Sequence, residues 1–197
     1  SCMAAIVAGN SDMTFNDCTA ECGSYFALTH CVNGWQEEVA DITCTGGDIH
    51  TKKECVLVKS HNMMLDLCDV NISSDKGILV HTIVNDDPCA TKVTKDVFGV
   101  NVVMTDMDVK GDLLHEDTTR EMWVMLNSTQ LTGAIQHANV AFDKGSKWIA
   151  TADSDVVFVT DVEPAQIDAP AGVTITAKGA EAGEFVLASG GKLVVTA

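Results

Sequence analysis

The sequence predicts an all-β fold of the solenoid type, in which short strands recur along the chain and stack on one another. Hydrophobic residues make up 46% of the chain but aromatic residues only 5%. Such a composition suits a core of thin aliphatic layers better than one filled by aromatic rings. Proline is scarce, while Thr, Val, Asp and Gly are abundant, which favours strands joined by tight turns over helices.

An internal repeat is the stronger observation. The segment 102–113 alternates apolar and polar residues, slips by one residue and alternates again, and the pattern returns 22 residues later: Val102, Met104, Met107, Val109, Gly111 and Leu113 become Val124, Leu126, Thr129, Leu131, Gly133 and Ile135. A shift back of 39 residues gives segment 63–74, and a further 50 gives segment 13–22. Two short strands joined at a corner, recurring roughly every 20 residues, are typical of solenoid coils.

The wide shifts predict two insertions, 32–53 and 75–99, with a short helical turn at 36–42. After Asn139 the apolar pairs follow one another more closely, separated by turns such as Lys144-Gly145-Ser146. Trp148 is expected to pack between coils. Residues 192–197 end the sequence on strand-like residues without a polar cap, which predicts either truncation from a longer protein or an open end that docks on a neighbour.

The segment 139–156 combines an apolar pair, a Gly-Ser turn, Trp148 and an Asp-Ser turn. This arrangement resembles the passenger repeats of autotransporter adhesins, and residues 167–195 are similar to their late coils. The resemblance covers about residues 100 to 197. It implies a right-handed parallel β-helix, of the kind that pectin-lyase-like proteins also adopt, and a surface role as an adhesin or scaffold.

Cysteine usage divides the chain, because all eight cysteines lie in the first 89 residues. We therefore expect a cysteine-rich N-terminal cap or insertion region over residues 1–60, followed by β-helix coils over 61–197, the whole forming one continuous domain. An even count in one loop-rich segment predicts up to four disulfides in an oxidising compartment, with the connectivity open. The candidates are Cys2, Cys18, Cys22, Cys31, Cys44, Cys55, Cys68 and Cys89.

The net charge of −16 argues against two classes of partner. Phosphate backbones and anionic membrane surfaces would be repelled, so we expect neither nucleic-acid binding nor membrane insertion. Calcium remains compatible with the acidic surface, and Asp106, Asp108 and Asp112 are the nearest to a candidate site. A solvated outer face is the simpler interpretation of these three residues.

The sequence offers little that resembles an active site. Arg120 is the only arginine, lies in the acidic loop 116–121, and is expected to form an ordinary surface ion pair. The histidines are dispersed, without ligand spacing, and no phosphate loop or nucleophile motif occurs. The sequence therefore predicts no catalytic residues, no cofactor and no metal site. The histidines are His30, His50, His61, His81, His115 and His137.

These observations predict a non-catalytic, extracellular or cell-surface structural protein, a solenoid scaffold that binds copies of itself end to end or laterally and can build a filament. Two sequons, at Asn71 and Asn127, are candidate glycosylation sites that fit export. A start at Ser1 without methionine fits a processed product. The alternatives are an adhesin or carbohydrate-binding module that recognises host or matrix glycans, and, third, a polysaccharide-degrading enzyme.

Overall fold

The computed structural model describes residues 2–7, 9–30, 38–87 and 98–197. Within these ranges every regular element is a β-strand except for a 3-10 turn at Pro164–Gln166, and no helix there is long and apolar enough to span a membrane. Nearly all strand pairs are parallel, and the strands curl into a nearly closed, solenoid-like sheet. The all-β prediction is confirmed.

The described part of the chain contains twenty strands, in this order: β1 (Ala4–Val7), β2 (Ser11–Cys22), β3 (Ala27–His30), β4 (Val39–Thr51), β5 (Val56–Lys59), β6 (Asn62–Cys68), β7 (Asn71–Ser74), β8 (Ile78–Ile83), β9 (Val100–Thr105), β10 (Asp108–Lys110), β11 (Asp112–His115), β12 (Met122–Asn127), β13 (Gln130–Thr132), β14 (Ile135–Phe142), β15 (Lys147–Ile149), β16 (Ser154–Phe158), β17 (Ile167–Asp168), β18 (Thr174–Lys178), β19 (Gly183–Val186) and β20 (Lys192–Thr196).

These strands form three stacks, and consecutive strands mostly lie in different stacks. The first stack runs β1-β3-β5-β8-β11-β14-β16-β18-β20, and the second runs β2-β4-β6-β9-β12-β14. In the third stack β10, β13, β15 and β17 pair in order, with β7 pairing to the second half of β4 and lying beside β10. The long strands β2, β4 and β14 turn a corner and belong to two stacks.

The alternating sequence builds the core as layers of aliphatic side chains. Leu65 lies opposite Val102, Val102 opposite Val124, and Val124 opposite Val140, and all four are fully buried. Parallel register thus places like side chains above one another from coil to coil, which removes apolar surface from water in each layer. The predicted 22-residue repeat is confirmed by the pairing of 102 with 124.

The one-residue slip in the repeat is a corner residue with positive φ. Asp69, Asp106 and Ser128 have φ angles of 49°, 53° and 48° at the corner between the second and third stacks. Short polar side chains tolerate this left-handed conformation because they form local hydrogen bonds. Gly47 is needed at the same corner, since a Cβ there would lie 2.2 Å from the carbonyl oxygen of Cys18.

Two of the predicted shifts are wrong by two residues. Leu65, not Met63, lies opposite Val102, so the shift is 37 rather than 39. Met13 lies opposite Ile42 and Ile42 opposite Leu65, so the shift to the N-terminal coil is 52 rather than 50. A slip of two residues preserves the alternation of faces, which is why the sequence pattern did not reveal it.

The predicted insertions are also corrected. Segment 32–53 contains β4, a thirteen-residue strand in the middle of a coil, so the helical turn predicted over 36–42 is wrong where 39–42 is described. Segment 75–99 contains β8, which pairs with β5 and β11. Strands β1 to β5 belong to the same stacks as the later ones, so the predicted boundary after residue 60 coincides with no break in strand pairing.

The two ends of the stacks differ. The C-terminal strand β20 is not an open edge, because β19 pairs with it in antiparallel orientation, which corrects the predicted open end at 192–197. At the other end, β1 pairs only with β3 and β2 only with β4 among the described strands. Of the strands that the structure describes, β2 in the N-terminal coil therefore presents the longest free edge.

Candidate functional site

A groove of about 750 Å³ runs along the outer side of the first stack. Its floor is made by outward side chains of β14, β16, β18 and β20, and one wall by the loop 116–121 between β11 and β12. The residues of this floor are polar except for Val157; they are His137, Asn139, Asp155, Val157, Thr176 and Lys178. The parallel register of the stack places these residues in neighbouring rows.

His137 is placed by the corner that bends β14. Its φ angle is +57°, and the register between β14 and β16 shifts at this point. The ring is held on two sides, since its Nδ1 lies 3.2 Å from the carbonyl oxygen of His115 and its Nε2 lies 3.4 Å from Oδ2 of Asp155. His137 and Asp155 therefore form an exposed polar pair on the groove floor.

The wall loop is held by a buried ion pair. Nη1 of Arg120 donates to Oδ2 of Asp117 at 2.7 Å, and both side chains are inaccessible to solvent. The amide of Thr119 also donates to Asp117, at 3.0 Å. The expectation of a surface ion pair at Arg120 is wrong, because the loop folds inward over the corner between the first two stacks.

The guanidinium of Arg120 is only partly satisfied. Among the described residues, no hydrogen-bond partner is found for its buried Nε and Nη2 atoms, nor for either buried ring nitrogen of His61. Burying polar groups without partners is costly, so this corner lowers the stability of the folded chain. We call it the polar corner; it comprises His30, His61, His115, Asp117 and Arg120.

Burial keeps the histidines of the polar corner neutral. Burial, followed by the positive charge of Arg120 and the nearby His30, lowers the pKa of His61 to about 4. Burial also lowers the pKa of His115, although its bond to Arg120 partly opposes this. Nε2 of His115 donates to the carbonyl oxygen of Arg120 at 2.9 Å, and Nδ1 accepts from the Thr82 hydroxyl.

A second polar group lies on the same outer side, towards the N-terminal coils. His81 lies 3.7 Å from Glu54 and 3.5 Å from Glu116, and Lys76 lies 3.5 Å from Glu54. Burial raises the pKa of Glu54, but its own backbone amide and Lys76 outweigh this and leave the pKa lowered. His50 pairs separately with Asp75 at 3.0 Å.

The groove is suited to binding neutral or cationic groups. Of its charged lining residues, Glu116, Asp117, Glu121 and Asp155 are acidic, whereas Arg120 and Lys178 are basic, which gives a net charge of −2. A polyanion such as an acidic polysaccharide would meet unfavourable electrostatics there. The described residues contain no group of three or more His, Cys, Asp or Glu side chains that could hold a metal ion.

The three aspartates considered as calcium ligands have different structural roles. Asp106 is the left-handed corner residue, and Asp108 accepts from Gln130 on the neighbouring strand at 3.4 Å. Asp112 accepts from the amide of Ala134 at 2.8 Å and so joins two coils. The carboxylates of Asp108 and Asp112 therefore bond neighbouring coils to one another.

The six described candidates for disulfides are free thiols, so the structure does not support the disulfide prediction. Cys44 and Cys55 are buried, and burial raises the pKa of each thiol to about 11. Cys31 and Cys89 lie outside the described residues. The described cysteines are Cys2, Cys18, Cys22, Cys44, Cys55 and Cys68.

The two sequons lie on strands. Asn71 begins β7 with an exposed side chain, whose Nδ2 donates to Asp48 at 2.8 Å. Asn127 ends β12 and is partly buried. Glycosylation stays a prediction at both positions.

No known protein family, curated protein or solved structure matches this chain. The resemblance to autotransporter adhesins and pectin-lyase-like proteins therefore rests on the sequence pattern alone. Sequence reasoning missed the groove and the polar corner, since both arise where loops from different coils meet.

Proposed function

We propose that this chain is a right-handed parallel β-helix that acts as a non-catalytic, extracellular structural scaffold, joined to a second copy through its N-terminal coil. The stacking of strands about one coil apart supports the β-helix, as in the pairing of Val102 with Val124. Right-handed crossovers are the strong preference for parallel strands. Surface location is an expectation from the sequence.

The exposed core layer at the N-terminal end is the observation that carries this proposal. Met13 and Phe15 point towards the core but remain partly exposed, whereas Ile42 and Cys44, directly opposite on β4, are fully buried. Strand β2 is twelve residues long, and no described strand pairs with its outer edge. Long unpaired edges beside apolar side chains are templates for pairing with another chain.

The negative charge of β2 should make association between two copies depend on the salt concentration. Asp12, Asp17 and Glu21 are exposed on β2, and the chain as a whole has a charge of −16. Two N-terminal coils would therefore repel one another at low ionic strength, and salt would screen that repulsion. We expect self-association that strengthens with salt.

The short C-terminal edge favours a pair over a filament. Because β19 covers β20, the described strands leave a four-residue edge at β19 but a twelve-residue edge at β2. An interface between two N-terminal coils uses the same surface of both copies and stops at a dimer. The filament predicted from the sequence would need a second interface between copies.

Sedimentation velocity on the native protein at low and high salt tests this proposal. The variant Met13→Glu places a charge in the exposed layer and should abolish association. Its matched control is Met125→Glu, at a half-buried methionine on the outer side of β12, in the middle of the second stack. Equal dimerisation of both variants, or a monomer at every salt concentration, would count against the N-terminal joint.

The groove supports a second candidate, an adhesin or carbohydrate-binding module. Its hydroxyl, amide and carboxylate groups suit neutral or amino-substituted glycans better than acidic ones. Glycan-array binding that is lost in Asp155→Asn, without self-association, would favour this function. Release of reducing ends from a polysaccharide would favour the third candidate, an enzyme.

A further inference from the structure

The beginning and the end of the first coil lie side by side. The amide of Met3 donates to the carbonyl oxygen of Tyr25 at 3.3 Å, and that of Ala4 to Phe26 at 2.8 Å. Strand β2 ends at Cys22, three residues before Tyr25. The start of the coil, at Cys2, therefore lies beside its end, at Cys22.

The Cys22 thiol lies at that corner, near enough to Cys2 for the charges of the two groups to interact. Cys22 is buried, at 6% exposure, and Cys2 is more accessible. Burial raises the pKa of Cys22, the charge of a Cys2 thiolate raises it further, and a hydrogen bond from the Met3 amide lowers it. Because the Met3 amide is bonded directly to Cys2, the sulfur of Cys22 lies against the backbone of Cys2.

We propose that Cys2 and Cys22 form a disulfide that closes the N-terminal coil when the protein meets a disulfide donor such as oxidised glutathione. The accessible Cys2 thiolate attacks the donor, forms a mixed disulfide and releases one glutathione thiol. The Cys22 thiolate then attacks the Cys2 sulfur, forms the internal bond and releases the second glutathione thiol. Two protein thiols are oxidised, and one glutathione disulfide is reduced.

This bond would act where the stack is weakest. Every interior coil is paired on both sides, whereas the N-terminal coil is paired only through β3 and β4 among the described strands. Linking residues 2 and 22 restrains the free ends of that coil and limits its fraying. The link is internal to one chain, so it does not depend on the proposed association of copies.

Cys55 is the competing partner for Cys22. Cys22 lies opposite Thr51, and the Thr51 hydroxyl donates to the sulfur of Cys55 at 3.6 Å. Cys55 is 1% exposed, and burial raises its pKa to about 11. Thr51 therefore contacts both positions, and Cys55 is both less accessible and less readily ionised than an exposed thiol.

Peptide mapping without reduction tests the pairing. The full chain is incubated with oxidised and reduced glutathione, its remaining thiols are alkylated, and the digest is analysed by mass spectrometry. A peptide that links Cys2 to Cys22 is expected in the native chain and in the control Cys68→Ser, and its loss is expected in Cys2→Ser. A link from Cys22 to Cys55, or glutathione retained on Cys2, would overturn the proposal.

Hydrogen exchange gives a second measurement on the same samples. Oxidation should slow amide exchange in β1 and β2 by on the order of 100-fold, as expected for a closed loop of this size. The Cys2→Ser variant should show no such slowing. Equal exchange before and after a verified Cys2–Cys22 link would contradict the role assigned to it.

Discussion

Replacing His61 by glutamine should make the stability of the protein less sensitive to acid. His61 is 1% exposed, and burial followed by the charge of Arg120 lowers its pKa from 6.5 to about 4. The folded state therefore binds fewer protons than the unfolded state between these values. Its contribution is present above pH 6.5 and is lost as the pH falls towards 4.

The size of the effect follows from that shift. A lowering from 6.5 to about 4 corresponds to roughly 3 kcal/mol of unfolding free energy. His30 and His115 shift in the same direction, so His61→Gln should reduce the pH dependence without removing it. The carboxylates titrate mainly below this window and contribute little to the difference between variants.

Urea unfolding at about pH 7 and about pH 4.5 measures the effect. Between these conditions the native chain should lose roughly 2–3 kcal/mol more than His61→Gln. The matched control is His50→Gln, at a half-exposed histidine paired with Asp75, which should behave like the native chain. If His61→Gln and the native chain lose equal free energy, His61 is not held neutral by burial.

Two further predictions concern stability. The variant Asp117→Asn leaves the buried guanidinium of Arg120 unpaired and should cost about 3–5 kcal/mol in urea unfolding, most of which the double variant with Arg120→Met should restore. If the double variant is no more stable than Asp117→Asn, the unpaired charge is not the cause. Gly47→Ala should lower the melting temperature more than Gly77→Ala: both glycines have positive φ, but only the Cβ at 47 would strike backbone, the Cys18 carbonyl oxygen at 2.2 Å. Equal losses would contradict the close approach at Gly47.

The sequence predicted the coils best where apolar residues alternate without interruption. The repeat from Val102 to Val124 and the packing role of Trp148 are both confirmed, since Trp148 is fully buried and its Nε1 donates to the carbonyl oxygen of Gly133 at 2.8 Å. In these coils period-two patterning alone fixes which side chains face the core.

The coil formed by β3 and β4 was missed although its alternation is present. Ala40, Ile42 and Cys44 alternate with polar residues, but Gly46 and Gly47 follow them inside the same strand. Small residues and glycines are typical of loops, so the segment resembled an insertion. The glycines are corner residues with positive φ, which a solenoid strand accommodates.

The polar corner could not be predicted because it depends on contacts between coils. His61 and Arg120 are 59 residues apart, yet the charge of Arg120 acts on His61 in the folded chain. Charged residues are mostly exposed, so a single arginine in an acidic loop indicates a side chain at the protein surface. Only the stacking of the 116–121 loop over the earlier corners buries it.

Hydrogen exchange as a function of protein concentration tests most directly whether the N-terminal coil is the joint between copies. At high salt, raising the concentration should slow exchange of the β2 amides and leave those of β19 and β20 unchanged. Protection that appears at β19 and β20 instead, with β2 unaffected, would contradict association through the N-terminal coil and place the interface at the opposite end.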